Sequence, residues 1–356
     1  RAIKRISPNG RGSTATIPRP CPGAAIWGFW RRPSAWFLGP MVTETGRPAA
    51  AEVTVIIVSY NTVQLTLKAI ATLYANTRET TFDCVVFDNA SHDHSAALIR
   101  AAFPQVQVIA SDQNIGFAAA NNRVAAGCET PYLLLLNPDT ETHPGAVDAL
   151  VRFAKSRPSA GIWGGRTVFA DGSLNRASCW ATPSLRGLFF RAVGIAALFR
   201  ETQFVNPEAY AGWQRDSVRE VDIVVGCFLL IGRPLWRQLG GFQRKYYMYG
   251  EDADLCLRAR QMGYRPCITP DAQIIHHVGA STVRDEEKAI LVMKARASII
   301  RDHWPEWKVG AGIFLMWLWA ALRYLGSRPI AKSRRASADR WRAVWRRRAE
   351  WLQGYA

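Results

Sequence analysis

Long apolar runs are scarce in this chain. The best of them, residues 309–322 ("VGAGIFLMWLWAAL"), spans only 14 residues, short of the ~20 that a bilayer-crossing helix needs. No secretory signal is evident either: the first 40 residues are rich in Arg, Pro and Gly, and their best apolar stretch, "AAIWGFW", is short. Cysteine pairs at metal-binding spacing are absent. The seven cysteines are odd in number and widely separated, with no Cys-x-x-Cys, which argues against a zinc ribbon and for small core residues in a reducing compartment. No internal repeat is visible, so a solenoid is excluded.

Basic charge is abundant but unevenly placed. The net charge is +17, yet residues 1–50 hold eight Arg/Lys against one Glu, and residues 323–356 hold ten against two acids. About +2 remains for residues 51–322, so the body lacks the basic surface that nucleic-acid binding requires. Residues 1–50 read as disordered or as an upstream extension, with a conventional polar lead-in after Met41.

From Val53 the pattern is regular. "VTVIIVSYN", "DCVVFDNAS", "VQVIAS" and "YLLLLNPDT" read as strands, and segments around 63–76, 93–102, 115–128 and 144–156 read as helices. Strands that are apolar throughout and alternate with helices predict an α/β fold, a doubly wound, mostly parallel sheet covered on both faces. Beyond residue 160 the pattern is mixed: an Asp-Gly hairpin within 161–178, an irregular stretch at 183–215, and a helix in "GEDADLCLRARQMGY" that Gly263 closes.

Three strands end in polar residues: Ser59-Tyr60-Asn61, Asp88-Asn89-Ala90-Ser91 and Asn137-Pro138-Asp139. In a parallel sheet these ends share one edge, where ligands bind. Turn chemistry alone also accounts for Asn61 and Asn89. A second cluster, Glu251-Asp252-x-Asp254, opens a helix behind the aromatic run "YYMYG". Three acids exceed what a cap needs, and an apolar setting raises a carboxylate's pKa toward values useful to a base.

The ordered set "VTVIIVSYN", "FDNASHDHS", "NIGFAAANN", "LLLNPDT" and "YMYGEDADLCLRARQMGY" resembles family 2 glycosyltransferases of the rhamnosyltransferase-like branch, over about residues 53–303. The resemblance implies a GT-A type fold, a nucleotide-diphospho-sugar donor (dTDP- or UDP-linked), inversion at the anomeric carbon and a divalent metal, Mg²⁺ or Mn²⁺. It implies that Ser59, Tyr60, Asn61 and Asn89 line the nucleoside pocket, that Asp88 bonds the pyrimidine edge, and that Asn114 and Asn121 lie near ribose and phosphates. The Asp-x-Asp-like motif reads Asn137-Pro138-Asp139 here, making Asp139 the charged metal ligand beside Asn137. His276, after "PDAQII", is a further ligand by the same resemblance. Asp252 would be the base and Glu251 would position the acceptor. Where the family often has Gly-Phe-Asp-Glu, this chain has Gly241-Phe242-Gln243-Arg244, a departure on the acceptor side.

The expected organisation is therefore a catalytic domain at 51–305, with a nucleotide-sugar half (51–160) and an acceptor half (161–305), followed by an apolar and basic helical tail at 306–356. Tryptophans next to a polybasic run suit an anionic, cytoplasmic membrane face, a buried helix or an oligomer contact being the other reading of 309–322, and the acceptor would be a glycan or a polyprenyl-linked sugar. A sugar nucleotidyltransferase would share the layered fold, but "SYNTVQ" lacks a Gly-rich phosphate loop. A catalytically silent membrane scaffold is the other alternative.

Overall fold

The computed structural model describes residues 50–277, 284–327 and 335–356; the expectations for residues 1–49, Cys21 among them, lie outside the described residues. Ala49–Ala356 form one compact unit.

The first half is a repeated strand–helix unit: β1 (Val53–Ser59), α1 (Val63–Asn76), β2 (Phe82–Asp88), α2 (Ser95–Ala102), β3 (Gln107–Ala110), α3 (Phe117–Ala125) and β4 (Tyr132–Leu136). β5 (Thr140–Thr142) and α4 (Ala146–Ser156) complete it. Next come β6 (Ile162–Val168), β7 (Leu174–Asn175), β8 (Cys179–Trp180), α5 (Leu185–Ala192) and α6 (Ile195–Leu198). These two helices occupy the stretch read as irregular. β9 (Arg219–Glu220), β10 (Ile223–Val224), β11 (Phe228–Gly232), α7 (Arg233–Leu239), α8 (Glu251–Gln261) and β12 (Cys267–His276) follow. The chain closes with α9 (Asp285–His303), α10 (Glu306–Leu325), α11 (Arg335–Arg346) and α12 (Arg348–Gln353).

The main sheet has the order β3-β2-β1-β4-β11-β6-β12-β5, with β7 on β6 and β9 on β12. β3, β2, β1 and β4 are parallel, β11 runs against both β4 and β6, and β12 is parallel to β6. β6 and β7 make the hairpin expected around Gly172.

Side chains alternate across a strand, and both faces here are covered. Leu133 and Leu135 join Ala118 and Val124 of α3, Trp236 of α7 and Leu255 of α8. Leu134 and Leu136 join Ile70 of α1, Ile99 of α2 and Leu150 of α4 on the other face. All four leucines are buried, which is why that strand shows no polar alternation. Truncating any of them to alanine would cost ~2–5 kcal/mol.

The tail is folded onto the body. α5, α9, α10, α11 and α12 share a satellite core around Met316, Val344 and Trp351. α10 is 20 residues long, so its helix extends past both ends of the 14-residue apolar run.

Candidate active site

The ends of β1, β2 and β4 meet at one edge because the strands are parallel, and Ser59 is directly opposite Asp88. Ser59 itself is fully buried, and its hydroxyl bonds Thr66 Oγ1 at 2.9 Å and Thr62 Oγ1 at 3.2 Å. Its side chain therefore ties the strand to α1 and offers no free hydroxyl to a ligand. Tyr60 is 37% exposed. Asn61 takes a left-handed φ of 53°; its N–H donates to Ser91 Oγ at 2.9 Å and its Oδ1 accepts from His92 N at 2.8 Å. Asn61 thus stitches the β1 loop to the β2 loop, the turn role that its residue type favours.

Asp88 is buried, and its Oδ1 has no hydrogen-bond partner. Asn89 accepts from Ile115 N at 2.9 Å and donates to Asn114 Oδ1 at 3.0 Å, which also accepts from Gly116 N at 3.0 Å. These two amides shape the loop before α3. Asn121 is buried in α3, donating to Phe117 O at 2.9 Å, with its Oδ1 unpartnered.

Asn137 donates its backbone N–H to Cys227 O at 3.1 Å, and its carbonyl accepts from Thr140 Oγ1 at 2.7 Å. This turn sends the chain directly into β5, which pairs Thr140 with His276 of β12. The pairing explains how distant residues meet. Asp139 Oδ1 lies 3.3 Å from His276 Nε2, while His277 turns to Glu141, which also binds Lys68 at 2.6 Å. Burial lowers the His276 pKa, but Cys227 and Asp139 beside it outweigh that and raise it to about 10. Two cis ligands of an octahedral ion at ~2.1 Å lie about 3 Å apart, so the Asp139–His276 spacing fits a shared divalent ion. Among the described residues no group of three or more His, Cys, Asp or Glu is arranged to hold a metal. The rest of the coordination shell would have to come from a ligand.

The acidic cluster opens α8. Gly250, at φ 91°, precedes it; a Cβ there would be strained and would press Tyr246 and Ala295 at 3.0 Å. The N-cap residue, Gly250, has no side chain to cap the helix, and among the acids Asp252 alone takes a first-turn N–H, that of Ala253. Asp254, fully buried, pairs with Arg258 Nε at 2.8 Å and His303 Nε2 at 3.0 Å, locking α8 to α9. Asp252 accepts from Gly226 N at 3.1 Å and Ala253 N at 2.8 Å. Glu251 is buried with Oε2 unpartnered. Burial and the Asp252 charge push Glu251 up to about 8, whereas burial raises Asp252 against the pull of backbone N–H groups. Two charges so close are disfavoured, so the pair resists losing both protons.

Residues 54–221 match the sequence profile of Glycosyl transferase family 2. The N-acetylglucosaminyl-diphospho-decaprenol L-rhamnosyltransferase of Mycobacterium tuberculosis is 31% identical over 212 residues, covering 56% of this chain and 67% of that protein. The chain belongs to glycosyltransferase family 2. Rhamnosyltransferase WbbL of Escherichia coli is 28% identical over 171 residues, 46% of this chain and 61% of that one. The fold is that of a mannosyltransferase from Pyrobaculum calidifontis solved with GDP-Man and Mn²⁺, at a TM-score of 0.52 and 18% identity, covering 85% and 84% of the two chains.

Several residues of this glycosyltransferase that join its two halves are silent in the sequence. Tyr249 is raised in pKa by burial and by the charges of Glu251 and Asp139; only its place in "YYMYG" hints at this. A Cβ on Gly116 (φ 81°) would meet Tyr247 O at 2.7 Å, so the α3 loop fits against the α8 loop only with glycine. Asn122 clamps Phe242 through both backbone groups, at 2.8 and 2.9 Å. Tyr355 donates to Met248 O at 2.6 Å, so the end of the described tail supports the loop before α8. In the departure from the family pattern, Lys245 pairs with Asp302 at 2.6 Å, and Arg244 lines a shallow cavity with Asn122 and Trp236.

Proposed function

We propose that this glycosyltransferase inverts the anomeric centre of a sugar, rhamnose in the first instance, as it moves it from a dTDP- or UDP-linked donor to a hydroxyl of a lipid-linked cell-envelope acceptor. The observation that carries the proposal is the acidic pair Glu251–Asp252, with Asp252 bound to the N–H of Gly226, next to Cys227, whose carbonyl takes the N–H of Asn137 in the Asp139 turn. Inversion needs one base on the face opposite the leaving group, and Asp252 serves as that base, accepting the acceptor proton at a carboxylate oxygen. The two backbone donors on Asp252 fix its orientation. Glu251, raised in pKa by burial beside Asp252, positions the acceptor.

On the donor side, Asp88 accepts from the pyrimidine N–H, while Tyr60 and the backbone around Asn61 and Asn89 wall the nucleoside. Asn114 and Asn121 lie toward the ribose and phosphates, and Asn137 sets the turn that aims Asp139. Asp139 and His276 would hold Mg²⁺ or Mn²⁺, which when bound supplies Lewis-acid stabilisation of the departing diphosphate. The rhamnosyl and lipid-diphosphate parts of the proposal draw on the names of the relatives above, and they bring with them a cytoplasmic membrane face as the place of work.

Titrating dTDP and UDP with and without Mn²⁺, on wild type and Asp139→Ala, tests the metal assignment. Metal-dependent tightening should vanish in the variant, and an unchanged dependence removes Asp139 from the site. Release of nucleoside diphosphate separates a transferase from a silent scaffold, and release of pyrophosphate would mark a nucleotidyltransferase.

A further inference from the structure

We infer that a basic cavity between α5–α6 and α10–α11 binds the phosphate of an anionic membrane lipid, beside an apolar surface that enters the bilayer interface. The cavity, about 390 Å³, brings together Arg191, Arg323, Arg340, Trp319, Trp341 and Asn206. Arg191 comes from α5, inside the catalytic half, so the site is not simply the polybasic tail.

The cations outnumber their local counter-ions. Arg191 shares Glu208, at 3.0 Å, with Arg296, at 2.6 Å, and stacks 5.4 Å over the Trp319 ring. Arg323 and Arg340 have no ion pair, hydrogen bond or ring contact among the described residues. The indole N–H of Trp319 is buried and has no acceptor. Converging guanidinium groups plus an unanswered N–H form a donor set that an anion with several oxygens satisfies, and phosphate suits the planar fork of arginine.

The elements lining the cavity also decide where that phosphate comes from. α6, whose Ala196 and Ala197 form part of the wall, ends in Leu198, which is 78% exposed; Phe199 and Phe204 beyond it are 55% and 60% exposed. Phe189 of α5, Val193 just after it and Leu322 of α10 are exposed as well. α10 has the length and composition of a membrane-crossing helix, and only 22% of its apolar window is buried. Soluble proteins seldom expose this much large apolar surface without a partner. Tryptophan and arginine around exposed leucine and phenylalanine match the chemistry of the headgroup layer. A free anion would need the arginines but not the apolar surroundings.

The inference is independent of the transferase reading, because it is measured as binding without donor or acceptor. The test sediments the full chain with phosphatidylcholine vesicles, with and without phosphatidylglycerol. Wild type should bind the anionic vesicles, and Arg323→Gln/Arg340→Gln should lower partitioning about thirtyfold, at ~1 kcal/mol per arginine. Arg346→Gln/Arg348→Gln removes equal charge from exposed positions of the tail. At about 0.5 M salt, where exposed charges are screened, this control should stay within about threefold of wild type while the cavity variant keeps its defect. Equal losses in the two variants, or none in the cavity variant, overturn the site. Inorganic diphosphate that raises Tm while anionic vesicles fail to bind overturns the lipid assignment. If the Gln variant melts early, Arg323→Lys/Arg340→Lys replaces it: vesicle binding weakened at unchanged charge supports the arginine fork, and unweakened binding overturns it.

Discussion

The strand-end side of the crevice and the α8 side handle their polar groups in opposite ways. At the strand ends, Ser59 bonds Thr66, Asn61 bonds the Ser91–His92 turn, and Asn89 bonds Asn114 and Ile115. These groups satisfy one another and set the shape of the edge. At α8, Glu251 has an unpartnered carboxyl oxygen and Asp252 has only backbone donors. The strand ends thus form a self-satisfied frame, whereas the α8 acids have needs that the fold leaves unmet, where desolvation is free to move a pKa. Asp88 is the exception on the first side, being buried with an unmet oxygen.

The largest effect should come from Asp252→Asn. Its turnover should fall ~10²–10⁴-fold with donor affinity intact, the usual contribution of a positioned base. Steady-state rates beside calorimetric donor binding check this, and near-normal kcat would remove Asp252 as base and end the contrast.

Glu251→Gln should show itself in stability. A carboxyl raised to about 8 in the fold stabilises the protein only below its unfolded pKa, and that contribution is lost as pH rises from ~4.3 to about 8. Urea unfolding of wild type should therefore weaken across that window, and the amide variant should escape the loss, gaining roughly 3–5 kcal/mol over wild type by pH 9. A gap that stays constant with pH would mean that Glu251 is ionised in the fold.

Asp88→Asn should weaken nucleotide binding by about tenfold to a hundredfold, as expected for a lost hydrogen bond to a charged group, without loss of stability. Ser59→Ala should do the reverse on a smaller scale: ~1 kcal/mol less stable, with nucleotide affinity unchanged. Thermal melts and nucleotide titrations on both variants would sharpen the contrast, and a nucleotide-binding defect in Ser59→Ala would break it.

The fold was largely legible in the sequence because strands buried on both faces must be apolar throughout, as "YLLLL" is, and because the helices between them keep helical spacing. The strand-end edge followed from parallel direction alone. What the sequence hid depends on side-chain direction and on distant packing. Ser59 has the residue type of a ligand contact, yet its hydroxyl turns into α1. Arg191, Arg323 and Arg340 converge only because α5 packs against α10, and no local pattern announces that. The tail's basic and aromatic composition suggested a surface segment, whereas its buried tryptophan, Trp351, follows from its packing on α9.

β11 runs against its neighbours in the middle of the sheet, and this has a consequence for the order of assembly. β1, β2 and β3 find partners across short strand–helix units, whereas Val53 meets Tyr132 and Leu136 meets Phe228 only after loops of roughly eighty and ninety residues close, which raises the entropic barrier. The two rims of the crevice should therefore form at different times. Pulse-labelled hydrogen exchange during refolding should find β1 and β2 amides protected before those of β11, and simultaneous protection would refute that order. Until those seams close, a folding intermediate would present the Ser59–Asp88 edge of β1 and β2 to solvent without Asp139, Glu251 and Asp252 beside it.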